Sequence, residues 1–386
     1  MSVVGFWLVM SFQWRIPQEE NYNNLQPKTQ KPTTYNQVLQ PNLLRTVKKA
    51  FILLCSVTTL FFSCQQKNKA NDDLAETGRT KRTEALLHNL DSISQKGFLV
   101  GQQDATLYGV GWEGDSARSD IKSICSESPA VVGFEIGGVE KGSERNIYGT
   151  SLDAVRRAIL AQYDCGGVCL LSWHTDKAPS SDEIDRVCDF LNSLEEPYGV
   201  RVPVILRPCH DNLGIEFWQN LRERTEEKEV INALFAYTFT DIQAFADEAE
   251  KMRSQHNTLM EMVDFLGIEM FDNVLSPDTD SLSFFQKQLG EALNTLTKLS
   301  LEYSKPATLF ATGQQSLPAN NWFTSVLLPV LDSYRLSFVV FGRNDNKNPG
   351  HFFVPFPGHP AVSDFTVFVN SPKTLFLRDV NGLYIP

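Results

Sequence analysis

From Thr83 onward the chain repeats one alternation: a short apolar run rich in β-forming residues, then a longer stretch whose apolar residues return every three or four positions. Runs of the first kind are Phe98–Gln103, Val131–Ile136, Gly167–Trp173, Val202–Pro208, Val263–Phe271, Ala307–Thr312 and Phe338–Phe341. Strands buried on both faces read as continuous apolar runs, because neither side meets water. The stretches Leu152–Tyr163, Asp182–Leu194, Val230–Arg253, Phe284–Tyr303 and Trp322–Ser333 carry the helical period instead. Strand and helix in alternation imply βα units around a parallel sheet, and the fold class expected is α/β, a (β/α)8 TIM barrel. An eighth strand should fall between Phe239 and Val263, where only Asn257–Met260 is available. The fifth βα unit is therefore expected to be truncated.

The pattern ahead of the barrel is different. Arg45, Lys48 and Lys49 precede the apolar run from Ala50 to Phe62, which ends at Ser63-Cys64. That run is too short to span a bilayer but has the length of a signal-peptide core. Leu60-Phe61-Phe62-Ser63-Cys64 resembles a loose lipobox, with Cys64 as the lipidated residue. The expected organisation is an over-extended start at 1–42, a lipoprotein signal peptide at 43–64, a polar tether at 65–82 and the barrel at 83–386. The location that follows is exported, membrane-anchored through lipid to a bacterial cell envelope.

Composition narrows the partners. Hydrophobic residues at 42% and charged ones at 21% are a globular balance. A net charge of -11 provides no basic surface to displace phosphate counterions, which excludes a nucleic-acid partner. Aromatic content of 11% suits a sugar-stacking cleft and suits a Phe-rich core equally well. After Cys55 and Cys64 are set aside, Cys125, Cys165, Cys169, Cys188 and Cys209 remain, an odd set in which at least one thiol is free. Cys165-Gly-Gly-Val-Cys169 lacks the second ligand pair of a zinc site, so buried thiols are expected and no metal.

Function in a parallel barrel sits where the strands end. There the chain places Gln102-Gln103-Asp104, Trp173-His174, Arg207-Pro208-Cys209-His210-Asp211, Glu269 with Phe271, Ala311-Thr312-Gly313 and Gly342-Arg343-Asn344. Polar residues gathered from many strands onto one face form a polar ligand site or a network bracing the barrel top.

Gly101-Gln-Gln-Asp104, Tyr108-Gly-Val-Gly-Trp112, Arg118-Ser-Asp120, Ser172-Trp-His174, Pro203-Val-Ile-Leu-Arg-Pro-Cys-His210, the Trp322 to Pro329 stretch, His351-Phe-Phe-Val-Pro-Phe-Pro-Gly-His359 and Pro372-Lys-Thr-Leu-Phe376 follow one another in order. Together they resemble glycoside hydrolase family 26, the endo-β-1,4-mannanases, from about Leu86 to about Asp379. The resemblance implies a (β/α)8 barrel, retaining hydrolysis of β-mannan or a related oligosaccharide through two glutamates, and no cofactor. It also places the acid/base at Asp211, one methylene short of the family's glutamate. The nucleophile position is Ala311, in Leu309-Phe310-Ala311-Thr312-Gly313, so the nucleophile is lost. Retaining chemistry needs both carboxylates about 5–5.5 Å apart. The tyrosine that holds the nucleophile appears as Phe271, the tryptophan platform as Gly342, and a further stacking tryptophan as Glu216. The substrate-binding residues that survive are His174, Arg207, His210, Trp218, Arg343 and Asn344.

Three readings stay open on these residues. One is a catalytically impaired barrel that binds mannan or oligosaccharide. Another is an active glycosidase with Asp211 as acid/base and Glu216 or Glu269 as a second carboxyl. The third is a damaged gene product, suggested by the upstream start and the short fifth unit.

Overall fold

The computed structural model describes residues 73–115, 117–197, 199–209, 213–247, 253–272 and 279–386. Cys64, the signal at 43–64 and residues 1–42 lie outside the described residues, as do His210 and Asp211. Eight strands form the barrel: β1 (Phe98–Gln103), β2 (Val131–Glu135), β3 (Val168–His174), β4 (Val204–Cys209), β5 (Ala233–Phe239), β6 (Phe265–Asp272), β7 (Ala307–Gln314) and β8 (Phe338–Phe341). Each pairs in parallel with the next, and β8 closes the cylinder on β1 from Leu99↔Phe338 to Gln102↔Phe341.

The fifth strand corrects the sequence reading. Val230–Arg253 is not one helix, and the strand is not the short Asn257–Met260, which lies within the helix Arg253–Glu261. Ala233–Phe239 is a full strand of seven residues, paired to β4 at Val204↔Ala233 and to β6 at Ala236↔Phe265. The fifth strand is therefore not truncated. Ala-Leu-Phe-Ala-Tyr-Thr-Phe is apolar apart from Thr238 and the Tyr237 hydroxyl, and a short buried run of that kind fits helix and strand alike until its neighbours are known. Here two flanking ladders decide, since a buried strand must satisfy its backbone groups on both edges.

Side-chain alternation sorts the strands into two layers. Leu99, Leu170, Ile205, Leu234, Phe265 and Phe338 fill the interior. Their chain neighbours Val100, Leu171, Leu206, Phe235, Leu266 and Val339 pack with the surrounding helices. The helix Ser181–Asn192 shows the other half of the pattern: Ile184, Val187, Cys188 and Leu191 form its buried face, and Ser180 with Glu183 caps its start. Leu86 and Leu90 of the helix Lys81–Ile93, with Val380 and Leu383, join the interior layer at the end where β1 begins. That helix starts two residues inside the stretch read as tether, because Arg79 makes a two-pronged ion pair with Asp264 at 2.9 Å and Thr80 caps it. With that end filled, the opposite end, where the strands terminate, is where a ligand can enter.

Candidate active site

The same alternation carries polar residues into the upper layer. On β3 Leu170 is followed at steps of two by Ser172 and His174, on β4 Ile205 by Arg207 and Cys209, on β6 Phe265 by Gly267, Glu269 and Phe271. They open onto a cavity of 300 Å³ and an adjoining cleft of 710 Å³, which share His174, Arg207 and Glu269. His174 Nδ1 lies 2.5 Å from Oε2 of Glu135, a fully buried carboxylate whose Oε1 accepts the Gly137 N–H at 2.6 Å. Burial acts against charge on the imidazole, but the Cys209 sulfur and Glu135 outweigh it and push His174 up to about 11. Arg207 is buried and donates to Glu269 at 2.7 Å and to the Cys209 sulfur at 2.9 Å. Arg343 pairs with Asp345 at 2.8 Å and lies 4.0 Å over the Tyr148 ring. Burial, then the Arg343 charge, holds His351 below its usual range, so its imidazole is neutral at pH 7.

β7 reaches this cavity through an irregularity. On the β6 side Ile268 pairs with Leu309 and Glu269 with Ala311, leaving Phe310 as an extra residue. On the β8 side Val339 pairs with Leu309 and Phe341 with Thr312. A bulge of this kind re-aims a side chain, and both Phe310 and Ala311 line the cavity. Ala311 presents only a methyl group there. The rings of Phe271 and Phe353, 4.9 Å apart, line the same cavity. A side chain at Gly342 would run into the Phe353 ring, and a Cβ on Gly313, whose φ is 144°, would lie 2.8 Å from it. Phe353 is held in place by Asn344, whose Oδ1 accepts the N–H groups of Phe353 at 2.9 Å and Val354 at 3.1 Å. The Asn344 amide in turn donates to Asp120 at 2.7 Å and to the Val354 carbonyl at 2.9 Å.

A β-mannanase structure from Bacteroides ovatus, of glycoside hydrolase family 26, is 32% identical to this chain. It superposes with a TM-score of 0.71 over 80% of this chain and 98% of its own. The chain belongs to glycoside hydrolase family 26. A family 26 structure from a Muricauda species, 24% identical with a TM-score of 0.66 over 80% of this chain and 94% of its own, repeats the fold. A mannan endo-1,4-β-mannosidase of Bifidobacterium adolescentis is 23% identical over 89% of this chain. The chain spans only 39% of the length of that relative. No protein-family profile matches the chain.

Against the family 26 plan, the structure brings His174, Arg207, Arg343 and Ala311 into one cavity. It does not bring Trp218 or Asn344 there. Trp218 is 1% exposed and sits in the core with its ring 5.7 Å from Phe217 and 5.8 Å from Tyr237. It lies on the helix Ile215–Glu227, whose buried face is Phe217, Trp218, Leu221 and Thr225; that helical spacing was the available sign of a core residue. Asn344 is equally buried and spends its amide on Phe353 and its neighbours. Glu216 is exposed at the start of the same helix and lines neither cavity. Three residues escaped the sequence reading: Glu135 behind His174, Tyr148 under Arg343, and Phe353. The cysteines also divide: Cys169 and Cys188 are buried as expected, Cys125 and Cys209 partly so, and Cys165 is exposed.

Proposed function

We propose that this family 26 barrel is catalytically impaired and binds β-mannan or a related oligosaccharide at the strand ends. The observation that carries the reading is Ala311. The bulge in β7 directs that residue into the cavity, where a retaining mechanism needs a carboxylate and this chain has a methyl. The surroundings fit the loss. Phe271 has no hydroxyl with which to orient an anion, and Phe353 replaces the absent platform with an apolar face suited to a sugar ring. The test is reducing-sugar release from mannan and manno-oligosaccharides, with the Bacteroides ovatus β-mannanase as control, beside calorimetric titration with mannohexaose. Binding without turnover is expected. Turnover by the unmodified chain would overturn the impaired reading, and absence of heat would overturn the binding one.

A second reading has one observation in its favour. Glu269 stands directly across the ladder from Ala311, about one strand spacing (~4.8 Å) away, with its carboxylate in both cavities. An active glycosidase would use it with Asp211, and Glu269→Gln and Asp211→Asn would each abolish whatever turnover the assay detects. The damaged-product reading loses one of its supports, since the fifth strand is complete. We also propose that Cys64 is the acylated anchor of an exported protein. Incorporation of labelled palmitate that disappears in Cys64→Ser is the expected result, and equal labelling of both would refute it.

A further inference from the structure

Two sequence motifs that the strand-end cavity does not use, Tyr108-Gly-Val-Gly-Trp112 and Arg118-Ser-Asp120, meet at one buried carboxylate. Asp120 is 2% exposed and opens the short helix Asp120–Cys125, whose start Ser119 caps by accepting the Lys122 N–H at 3.0 Å. Its Oδ1 accepts the Trp112 indole N–H at 2.7 Å. Its Oδ2 accepts the Val110 N–H at 3.0 Å and the Asn344 amide at 2.7 Å. A carboxylate withdrawn from water needs such donors, and a charged acceptor makes the stronger bonds. The fit is close: a Cβ on Gly109 would collide with both Asp120 Oδ2 and Trp112 Nε1. The Arg118 guanidinium closes over the Trp112 ring at 5.0 Å.

Asn344 carries this anchorage to the cavity. With its amide fixed by Asp120, its Oδ1 faces the N–H groups of Phe353 and Val354, at 2.9 and 3.1 Å. The Phe353 ring then lies against Gly313 and Gly342, where a Cβ would leave it no room, and meets Phe271 in the cavity wall. One path of contacts thus runs from the hairpin Tyr108–Glu113 through Asp120 and Asn344 to Phe353. It joins a short hairpin, a helix of six residues and the loop after β8, while the barrel strands close through their own ladders. Loss of the path should therefore release the wall before it opens the barrel.

We propose that Asp120 is a positioning residue of the saccharide site: through Asn344 it holds the Phe353 ring in the cavity wall, and so sets affinity without touching the sugar. The assignment rests on the reading that this cavity binds β-mannan or a related oligosaccharide. A binding surface keeps its shape only where the groups behind it are themselves fixed, and Asp120 supplies that support from the far side of Asn344.

The test is calorimetric titration of the full chain with mannohexaose, each variant first shown to be folded by circular dichroism. Asp120→Ala removes all three acceptor contacts and should weaken binding about tenfold, the equivalent of one hydrogen bond to a charged acceptor. Asp120→Asn can keep an oxygen toward Asn344 by turning its amide N–H₂ to the indole, and should weaken binding only about threefold. The deciding comparison repeats both changes in a Phe353→Leu background, where neither should have any further effect on affinity. A merely structural carboxylate would lower affinity by the same factor in both backgrounds, and that result would overturn the proposal. If the alanine variant does not fold, the asparagine variant decides by the same comparison. Wild-type heat matched by a folded Asp120→Ala would overturn this assignment alone; no heat with the wild type would overturn the saccharide reading and this assignment with it.

Discussion

Phe353 takes the space that a side chain at position 342 would need, and this couples the two positions. Phe353→Ala is expected to lower stability by about 3 kcal/mol, the usual cost of emptying a packed phenylalanine site. Gly342→Trp alone should also destabilise, by about 1–3 kcal/mol, because the new ring meets an occupied volume. Together the two changes should cost less than their sum, with a favourable coupling on the order of 1 kcal/mol, read from denaturant midpoints of the four proteins. A strictly additive cycle would mean that the rings do not compete. His174 gives a prediction in pH. Its imidazole is held charged in the fold up to about 11, against an ordinary value near 6.5. The stabilisation is therefore present in full below about 6.5 and is lost as pH rises through about 11. Denaturation midpoints from about pH 6 to about pH 10 should show wild type losing its advantage over His174→Gln steadily. Parallel profiles would show that Glu135 and Cys209 do not hold the charge. Trp218 belongs to this scale as well. Trp218→Phe should leave saccharide affinity unchanged and cost roughly 1 kcal/mol of stability, since its ring is packed and its N–H has no partner among the described residues.

At the scale of elements, seven strands were legible because a strand of a closed barrel is apolar on both sides and punctuated by turn residues. β5 was not, and the reason is local. Ala233, Leu234 and Ala236 are good helix formers, and nothing within the segment announces the ladders of Val204–Leu206 on one side and Phe265–Ile268 on the other. Trp218 went astray in the opposite direction, from giving its family position more weight than its helical spacing. Phe353 could not be placed because it arrives on a loop after β8, and no periodicity says which ring of His351-Phe-Phe-Val-Pro turns inward. Strand packing also sets a test inside the barrel. Gly267 on β6 faces the Phe310 ring and the Thr308 hydroxyl, both too close for a methyl group. Gly267→Ala is expected to cost about 1–3 kcal/mol by overpacking, measured as a lower denaturant midpoint. An unchanged midpoint would mean that the Phe310 ring can move aside.

For the whole molecule, the closed cylinder makes ligand binding and unfolding one linked equilibrium. A saccharide that binds only the folded barrel should raise its stability by about 2.7 kcal/mol at a hundredfold excess over its dissociation constant. Thermal scans of the full chain with mannohexaose should therefore show a melting temperature raised by several degrees, and a soluble glucan at the same concentration serves as comparison. The bulge in β7 has a consequence of its own. It is fixed by pairing with both neighbours, at Glu269 and at Phe341, and not by the methyl it carries. Whatever side chain is written at residue 311 will project over the same spot. That makes the position an attachment point: Ala311→Cys carrying a small environment-sensitive dye would turn the barrel into an optical reporter of sugars entering it.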